Sequence, residues 1–322
     1  MTRWFALGLW LALAPSPAMA GEGLRKAALV LLWTPQAQFA GYYVALEKGI
    51  YRKHGIDLAI VPGGPGRPAA DYLGDGRADF AVLWLSTALL RRGAGVPLVN
   101  IAQIAQRSSM VLVARKSAGI RMAADLGGQK VGLWGGDLAI PARAFFDRHG
   151  LTVEAVPQSA TVNLFLRGGV KAASAMWYNE YHLLLNAGLD PDELTVFRLE
   201  EGSLNIPEDG LYALEKDIGR DPDLADAFVR ASLEGWNDAF ADPQEALDIV
   251  LRAMREAKIP ANRVHQAWML ARMEEAIRPA GRMTGVLSKE DYQAVAGELQ
   301  RTGLLREAPS YGSFVRPPRA HP

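Results

Sequence analysis

From about residue 27 to residue 200 the chain alternates short, nearly unbroken apolar runs with segments whose apolar residues recur every three or four positions. Unbroken runs read as strands buried on both faces, and three-four spacing reads as helix. AALVLLW (27–33) is the first strand. A helix follows from about 38 to 48, with Phe39, Tyr42 or Tyr43, Leu46 and Ile50 in helical spacing and Gly49 as its stop. IDLAIVP is a second strand, PGGPGRP a loop, ADFAVLW a third strand, and STALLRRG a short helix capped by Ser86 or Thr87. PLVNIAQIAQ and SMVLVAR complete a first α/β lobe near Lys116.

The same alternation restarts around Asp125. QKVGLWGG is a strand, and PARAFFDRHG a helix with Pro141 in its first turn and Gly150 at its end. LTVEAVP, the helix TVNLFLRGG, the strand-into-helix ASAMWYNEYHLLLNAG and the strand ELTVFRLEE follow. Beyond GSLNIPEDG the chain turns mostly helical, with two amphipathic segments at 221–242 and 242–257. A further helix opens at Ser288, with Asp291 in capping-box spacing, and closes at Gly303.

Alternating strands and helices predict mostly parallel sheets covered on both faces. The fold class is therefore α/β, with two lobes and a ligand cleft between them. The expected organisation is a leader at 1–20, the first part of lobe 1 at 21–116, and lobe 2 at 117–205. Residues 206–305 would return to lobe 1, and the proline-rich stretch 306–322 would be a loose tail.

The first twenty residues carry one early charge, Arg3, an apolar run from Trp4 to Ala14, and the small-x-small end Ala18-Met19-Ala20. That is the form of a cleavable secretory leader, too short for a comfortable membrane span of roughly 20 residues. With 0 Cys there is no lipid attachment site and no disulfide, so a periplasmic, unlipidated protein is expected. Basic and acidic residues number 35 each, and loss of Arg3 leaves a net of −1. No nucleic-acid partner is indicated, since that calls for a basic patch or stripe.

Ligands of open α/β sheets bind beyond the carboxyl ends of strands, which directs attention to the residues found there. Trp33, Trp84, Trp134 and Trp177 are four of the 8 tryptophans, and each falls at an expected strand terminus. A lone strand-end Trp is also compatible with hinge or core packing; four in two lobes favour stacking faces in a cleft. Trp33, Phe39 and Tyr42 are read as ligand-facing, with Tyr43 and Leu46 on the core side of their helix. Gln36, Ser86, Gln106, Gly135, Asn179 and Glu180 supply polar or close-approach positions around them. Such a set suits a flat conjugated ring, because offset-stacked rings contribute about 0.5–1.5 kcal/mol each beyond area burial. Glu180 would accept N–H bonds from an aminopyrimidine edge.

Catalysis has little to stand on. The 5 His fall at unrelated positions without metal-ligand spacing, and there is no G-x-S-x-G elbow or P-loop. No cofactor or metal is expected.

The segment LLWTPQAQFAGYYVALEKGIYRKHGIDLAIVPGGPG resembles the opening of the ABC-importer substrate-binding proteins that capture thiamine pyrimidine precursors, a superfamily with sulfonate- and riboflavin-binding members. GRADFAV, VPLVNIAQIAQRSSMVLVA, DLGGQKVGLWGG, MWYNEYHLLLNAG and GWNDAFADPQEAL extend the likeness over roughly residues 28 to 250. The resemblance implies a periplasmic-binding-protein fold of the type II kind, a monomer closing two lobes on a small molecule, and delivery to a membrane permease with its ATPase. Carried over by position, it marks Trp33, Gln36, Phe39, Tyr42, Trp134, Asn179 and Glu180. A fungal pyrimidine synthase of the same superfamily uses a Lys and a His after the third strand, together with a cysteine-rich motif. Here FAVLWLSTALL has neither Lys nor His and the chain has 0 Cys, so the enzyme reading is disfavoured. A sulfonate ligand, held by Ser86, Thr87 and Arg107, stays open, as do a flavin and a receptor-docking sensor role.

Overall fold

A computed structural model describes residues 23–64, 66–200 and 205–316. The expected leader and residues 317–322 of the expected tail lie outside it. Ten strands and thirteen α-helices follow one another along the described chain. The first part runs β1 (Arg25–Val30), α1 (Ala40–Glu47), α2 (Ile50–Lys53), β2 (Ile56–Val61), α3 (Ala69–Gly74), β3 (Phe80–Trp84), α4 (Leu85–Gly93) and β4 (Leu98–Gln103). Next come β5 (Met110–Arg115), β6 (Lys130–Leu133), α5 (Ile140–Arg148), β7 (Glu154–Pro157), α6 (Asn163–Leu166), β8 (Ala172–Met176), α7 (Glu180–Asn186) and β9 (Leu194–Arg198). The chain closes with β10 (Asp209–Leu214), α8 (Glu215–Arg220), α9 (Pro222–Ala241), α10 (Pro243–Glu256), α11 (Arg263–Ile277), α12 (Lys289–Arg301) and α13 (Tyr311–Phe314).

Two five-stranded sheets result, ordered β2-β1-β3-β10-β4 and β7-β6-β8-β5-β9. Each is mixed. In the first, β1 pairs in parallel with β2 and β3, and β10 runs antiparallel between β3 and β4. In the second, β6 pairs in parallel with β7 and β8, and β5 runs antiparallel between β8 and β9. The strand SMVLVAR thus belongs to the second sheet, and the change of lobe precedes Met110 rather than falling at Lys116. The chain crosses between sheets twice, between Gln103 and Met110 and between Arg198 and Asp209.

The stretch following β1 departs from the pattern-based reading. β1 ends at Val30, so Trp33 sits in the loop beyond the strand; a 3-10 turn, Ala37–Phe39, precedes α1. Phe39 and Tyr42 are in the core at 0% and 1% exposure, not in a cleft, while Leu46, placed on the core side, is exposed. The reason is the helix itself: residues 40–45 are all buried, because α1 is sandwiched under α9 and α10 and has no face left for a ligand. A helix apolar all round is a buried helix. Tyr42 meets Trp236 of α9 edge-on at 5.6 Å between centroids. Close approach of these helices depends on Gly41 and Gly235: a Cβ on Gly41 would overlap the Trp236 indole, and one on Gly235 would overlap the Gly41 carbonyl.

Further along, Ser288 caps α12 by accepting from Asp291 N–H, as its spacing predicts. Ser86 and Thr87 do not cap α4; its N-cap is Trp84, and both hydroxyls point elsewhere. The described part of the segment expected to be a loose tail, 306–316, packs on the first lobe. Phe314 is fully buried beside Tyr212 and Tyr292, and Val315 bridges Asn100 of β4.

Candidate functional site

Between the two sheets, at the carboxyl ends of β1, β3, β6 and β8, lies a cavity of about 380 Å³. Its aromatic wall is Trp33, Trp84, Trp134 and Tyr178, two indoles from the first lobe and one indole and the phenol from the second. Each follows from a strand end: Trp84 is the last residue of β3, Trp134 is one residue past β6, and Tyr178 is two past β8. The Trp134 indole N–H donates to the Ser159 carbonyl at 3.2 Å, which ties the ring's edge in place on the cavity wall. The polar lining is Gln36, Gln38, Thr87, Arg91, Asp137, Asn179 and Glu180.

Trp33, Gln36, Trp84, Trp134, Asn179 and Glu180, all singled out from the sequence, are therefore brought to one cavity. Six others are not. Phe39 and Tyr42 are core. Ser86 is buried behind the wall, donating to Asp137 at 2.9 Å. Gly135 is exposed beside the cavity rather than lining it. Gln106 lies on the 104–109 crossover, with its amide on the Gln103 carbonyl at 2.7 Å. Trp177 points to the other side of the crossovers, packed on Tyr181 and Trp268 with the Arg198 guanidinium 4.4 Å from its ring centroid. Arg107 lines a second pocket on that same side, where Glu200 lies 4.0 Å away.

Three buried carboxylates stand at or behind the cavity: Glu180 lines it, and Glu208 and Asp209 lie in the core beyond. Glu180 opens α7; its carboxylate accepts from Met176 N–H at 2.9 Å and from the Asn179 amide at 2.8 Å. Burial pushes its pKa up to about 7, against the lowering effect of those bonds. Asp209, the first residue of β10, is likewise pushed up to about 7 by burial, with the Gln38 and Trp84 side chains pulling the other way. Its neighbour Glu208, taken to about 8 by burial and by the Asp209 charge, accepts from Ser109 N–H and Ser108 Oγ. Burial, and then the charges of Glu208, Asp209 and Glu180, raise the Tyr178 phenol well above its ordinary value. Tyr178 thus keeps its proton and can donate into the cavity.

Sequence reasoning missed Gln38, Tyr178, Asp137 and the Glu208–Asp209 pair. Tyr178 lay inside the quoted Trp-Tyr-Asn-Glu stretch, and Asp137 directly after the glycine pair. The two carboxylates had no local signal, because β10 itself had not been recognised.

Two mixed sheets joined by paired crossovers, with an aromatic cavity between them, define the periplasmic-binding-protein fold. The chain superposes on the periplasmic aliphatic sulphonate binding protein SsuA from Escherichia coli with a TM-score of 0.73 at 16% identity, covering 92% of this chain and 94% of that one. Residues 36–246 match the family model described as NMT1/THI5 like, and the chain belongs to that family. It is similar to the riboflavin-binding protein RibY of Chloroflexus aurantiacus, 29% identical over 256 residues, 76% of this chain and 71% of the relative. It is also similar to the formylaminopyrimidine-binding protein of Halalkalibacterium halodurans, 25% identical over 250 residues and 74% of each chain. Among the described residues no helix is long and apolar enough to cross a membrane.

Proposed function

We propose that this protein is an extracytoplasmic solute-binding component of an ABC importer, which captures a small flat heteroaromatic molecule and delivers it to a membrane permease. A thiamine pyrimidine precursor, such as a hydroxymethyl- or formylamino-pyrimidine, is the ligand we favour. One observation carries the reading: three indoles and a phenol from both lobes converge on one cavity whose floor offers a carboxylate and side-chain amides. The aromatic faces would sandwich the ring, and Glu180, Asn179 and Gln38 would meet its donor edge. The relative named as a formylaminopyrimidine-binding protein aligns over 74% of each chain. The role is binding rather than catalysis, and the protein would work as a monomer.

A flavin is the second reading. The cavity of about 380 Å³ falls within the roughly 300–1,000 Å³ typical of small-molecule sites, so one pyrimidine ring does not exhaust it. The relative named for riboflavin also aligns over most of the chain.

A thermal-shift screen of protein unfolded and refolded to strip bound ligand tests the proposal, with hydroxymethyl- and formylamino-pyrimidines, riboflavin, thiamine and aliphatic sulfonates as the panel. A ligand at 100 times its dissociation constant adds about 2.7 kcal/mol, a readily measured shift. A response to pyrimidines is the expected result. A response to riboflavin alone selects the second reading, and silence from every heteroaromatic compound refutes both.

A further inference from the structure

Ser86 and Thr87 lie in the first turn of the nine-residue helix α4, at the end of β3. Hydroxyls and free backbone N–H groups at the positive end of a helix are what an anionic head group seeks. Here both hydroxyls are already used. Ser86 Oγ and Thr87 Oγ1 donate to the same oxygen, Asp137 Oδ2, at 2.9 and 2.6 Å. Asp137 comes from the opposite lobe, carried across the cleft by the turn that follows β6, where Gly136 adopts φ +64°. The chain thus places its own carboxylate against the hydroxyls that an anion would need.

The other charged groups of the cavity reinforce this. Its charged lining consists of Asp137, Glu180 and Arg91, and the Arg91 guanidinium is 3.3 Å from Asp71. Arg107 opens on the far side of the crossovers, in a pocket it shares with Arg198, Arg272 and Arg278.

We propose that Asp137 is the specificity-determining residue of the cleft: it holds Ser86 and Thr87 across the two lobes and thereby excludes anionic ligands, leaving the cavity to neutral or cationic rings. An incoming sulfonate meets a carboxylate instead of two free donors, and must break both cross-lobe bonds to reach them. Like-charge juxtaposition of this kind is the usual means by which a site rejects wrong partners. The inference rests on the cavity being the ligand site, as proposed above.

Isothermal titration with 1-propanesulfonate as the anion probe and 4-amino-5-hydroxymethyl-2-methylpyrimidine and riboflavin as the neutral probes tests it. The proteins are wild type, Asp137→Ala, Asp137→Asn, and Asp137→Ala combined with Ser86→Ala and Thr87→Ala. Wild type should give no propanesulfonate binding at millimolar concentration, Asp137→Ala should gain it by at least about tenfold, and loss of both hydroxyls should remove the gain. If Asp137→Ala does not fold, as judged by circular dichroism, the near-isosteric Asp137→Asn carries the same expectation. Variants that bind the sulfonate no better than wild type overturn the inference, as does a gain that survives loss of both hydroxyls. Failure of the neutral rings to bind wild type, with the sulfonate gain present, refutes the heteroaromatic reading and leaves the role of Asp137 standing.

Discussion

The side-chain amide of Gln38 donates to Asp209 Oδ2 at 2.9 Å, joining the turn after β1 to the first residue of β10 across 171 positions of sequence. Gln36 in turn donates to Gln38 Oε1 at 2.6 Å, so a chain of amides leads from the cavity wall to a buried carboxylate. The second Asp209 oxygen is buried and has no hydrogen-bond partner among the described residues. Burial of the carboxyl favours the protonated acid, and this is the main cause of the upward displacement of the group.

That displacement has a sign that can be measured. Glu180 and Asp209 titrate near 7 and Glu208 near 8 in the fold, above their ordinary 4.5, 3.8 and 4.5. Their contribution is fully present below the ordinary values and is lost as pH rises through the folded ones. His182 and His265 oppose this at lower pH: burial lowers both from 6.5, His265 to about 4, and their contribution is lost as pH falls below 6.5. Between pH 6.5 and 8 the three carboxylates outweigh the two histidines, so stability should fall as pH rises. Calorimetric melting of ligand-free protein across that window should show a falling Tm, and Asp209→Asn should flatten the slope. A Tm that rises across the window in wild type contradicts the assignment.

The contact between α1 and α9 gives a second prediction. Alanine at Gly41 or Gly235 puts a methyl into occupied space, on an indole in one case and a backbone carbonyl in the other. Overpacking of this kind typically costs about 1–3 kcal/mol. Urea unfolding should register that loss for each variant, with the larger loss at Gly235, where rigid backbone stands in the way. Two variants as stable as wild type would show that the helices can separate freely.

Aromatic substitutions should divide by location. Tyr42→Ala removes a ring that is 1% exposed and should cost stability, about 3–5 kcal/mol as for other buried aromatics. Trp33→Ala and Trp134→Ala, both half-buried on the cavity wall, should leave stability nearly unchanged and each weaken ligand binding by about 0.5–1.5 kcal/mol. Paired denaturation and titration experiments on the three variants check this. Loss of affinity without loss of stability in Tyr42→Ala would place that ring at the ligand after all.

These residues also mark how much was legible in the sequence. The rule that ligands gather at strand ends led from unbroken apolar runs to Trp33, Trp84 and Trp134, although β1 stops at Val30 and Trp33 lies three residues beyond it. The same rule led to Trp177, whose side chain turns to the far side of the crossovers; sequence position does not fix on which side of a sheet end a ring lies. α1 misled for the opposite reason, since apolar residues on every face let an arbitrary stripe be drawn through Phe39 and Tyr42. β10 was hidden because its short apolar run follows Pro207-Glu208 in a stretch otherwise turning helical. α11 was passed over because it has no single apolar stripe, and the structure shows why: it packs on both lobes.

That bridging position supports a further prediction. On one side of α11, Gln266 Oε1 accepts from Ala37 N–H at 2.7 Å in the first lobe. On the other, His265 Nε2 lies 3.0 Å from Asn179 Oδ1, and Trp268 donates its indole N–H to the Trp177 carbonyl at 2.9 Å in the second. Trp268→Phe keeps a ring but loses the donor, at a cost of about 0.5–1.5 kcal/mol. Amide hydrogen exchange should then quicken at residues 177–186, the strand end and helix that α11 holds. Exchange unchanged there would mean that α11 does not brace the second lobe.

The central claim is that a flat ring enters the cleft between the indoles, and tryptophan fluorescence tests it most directly. Titration of the stripped protein with 4-amino-5-hydroxymethyl-2-methylpyrimidine should quench emission saturably, with about half or more of that signal lost in the Trp33→Phe, Trp134→Phe double variant, because stacked rings quench the indoles they touch. Saturable binding by calorimetry whose fluorescence change is the same in the double variant would contradict the account.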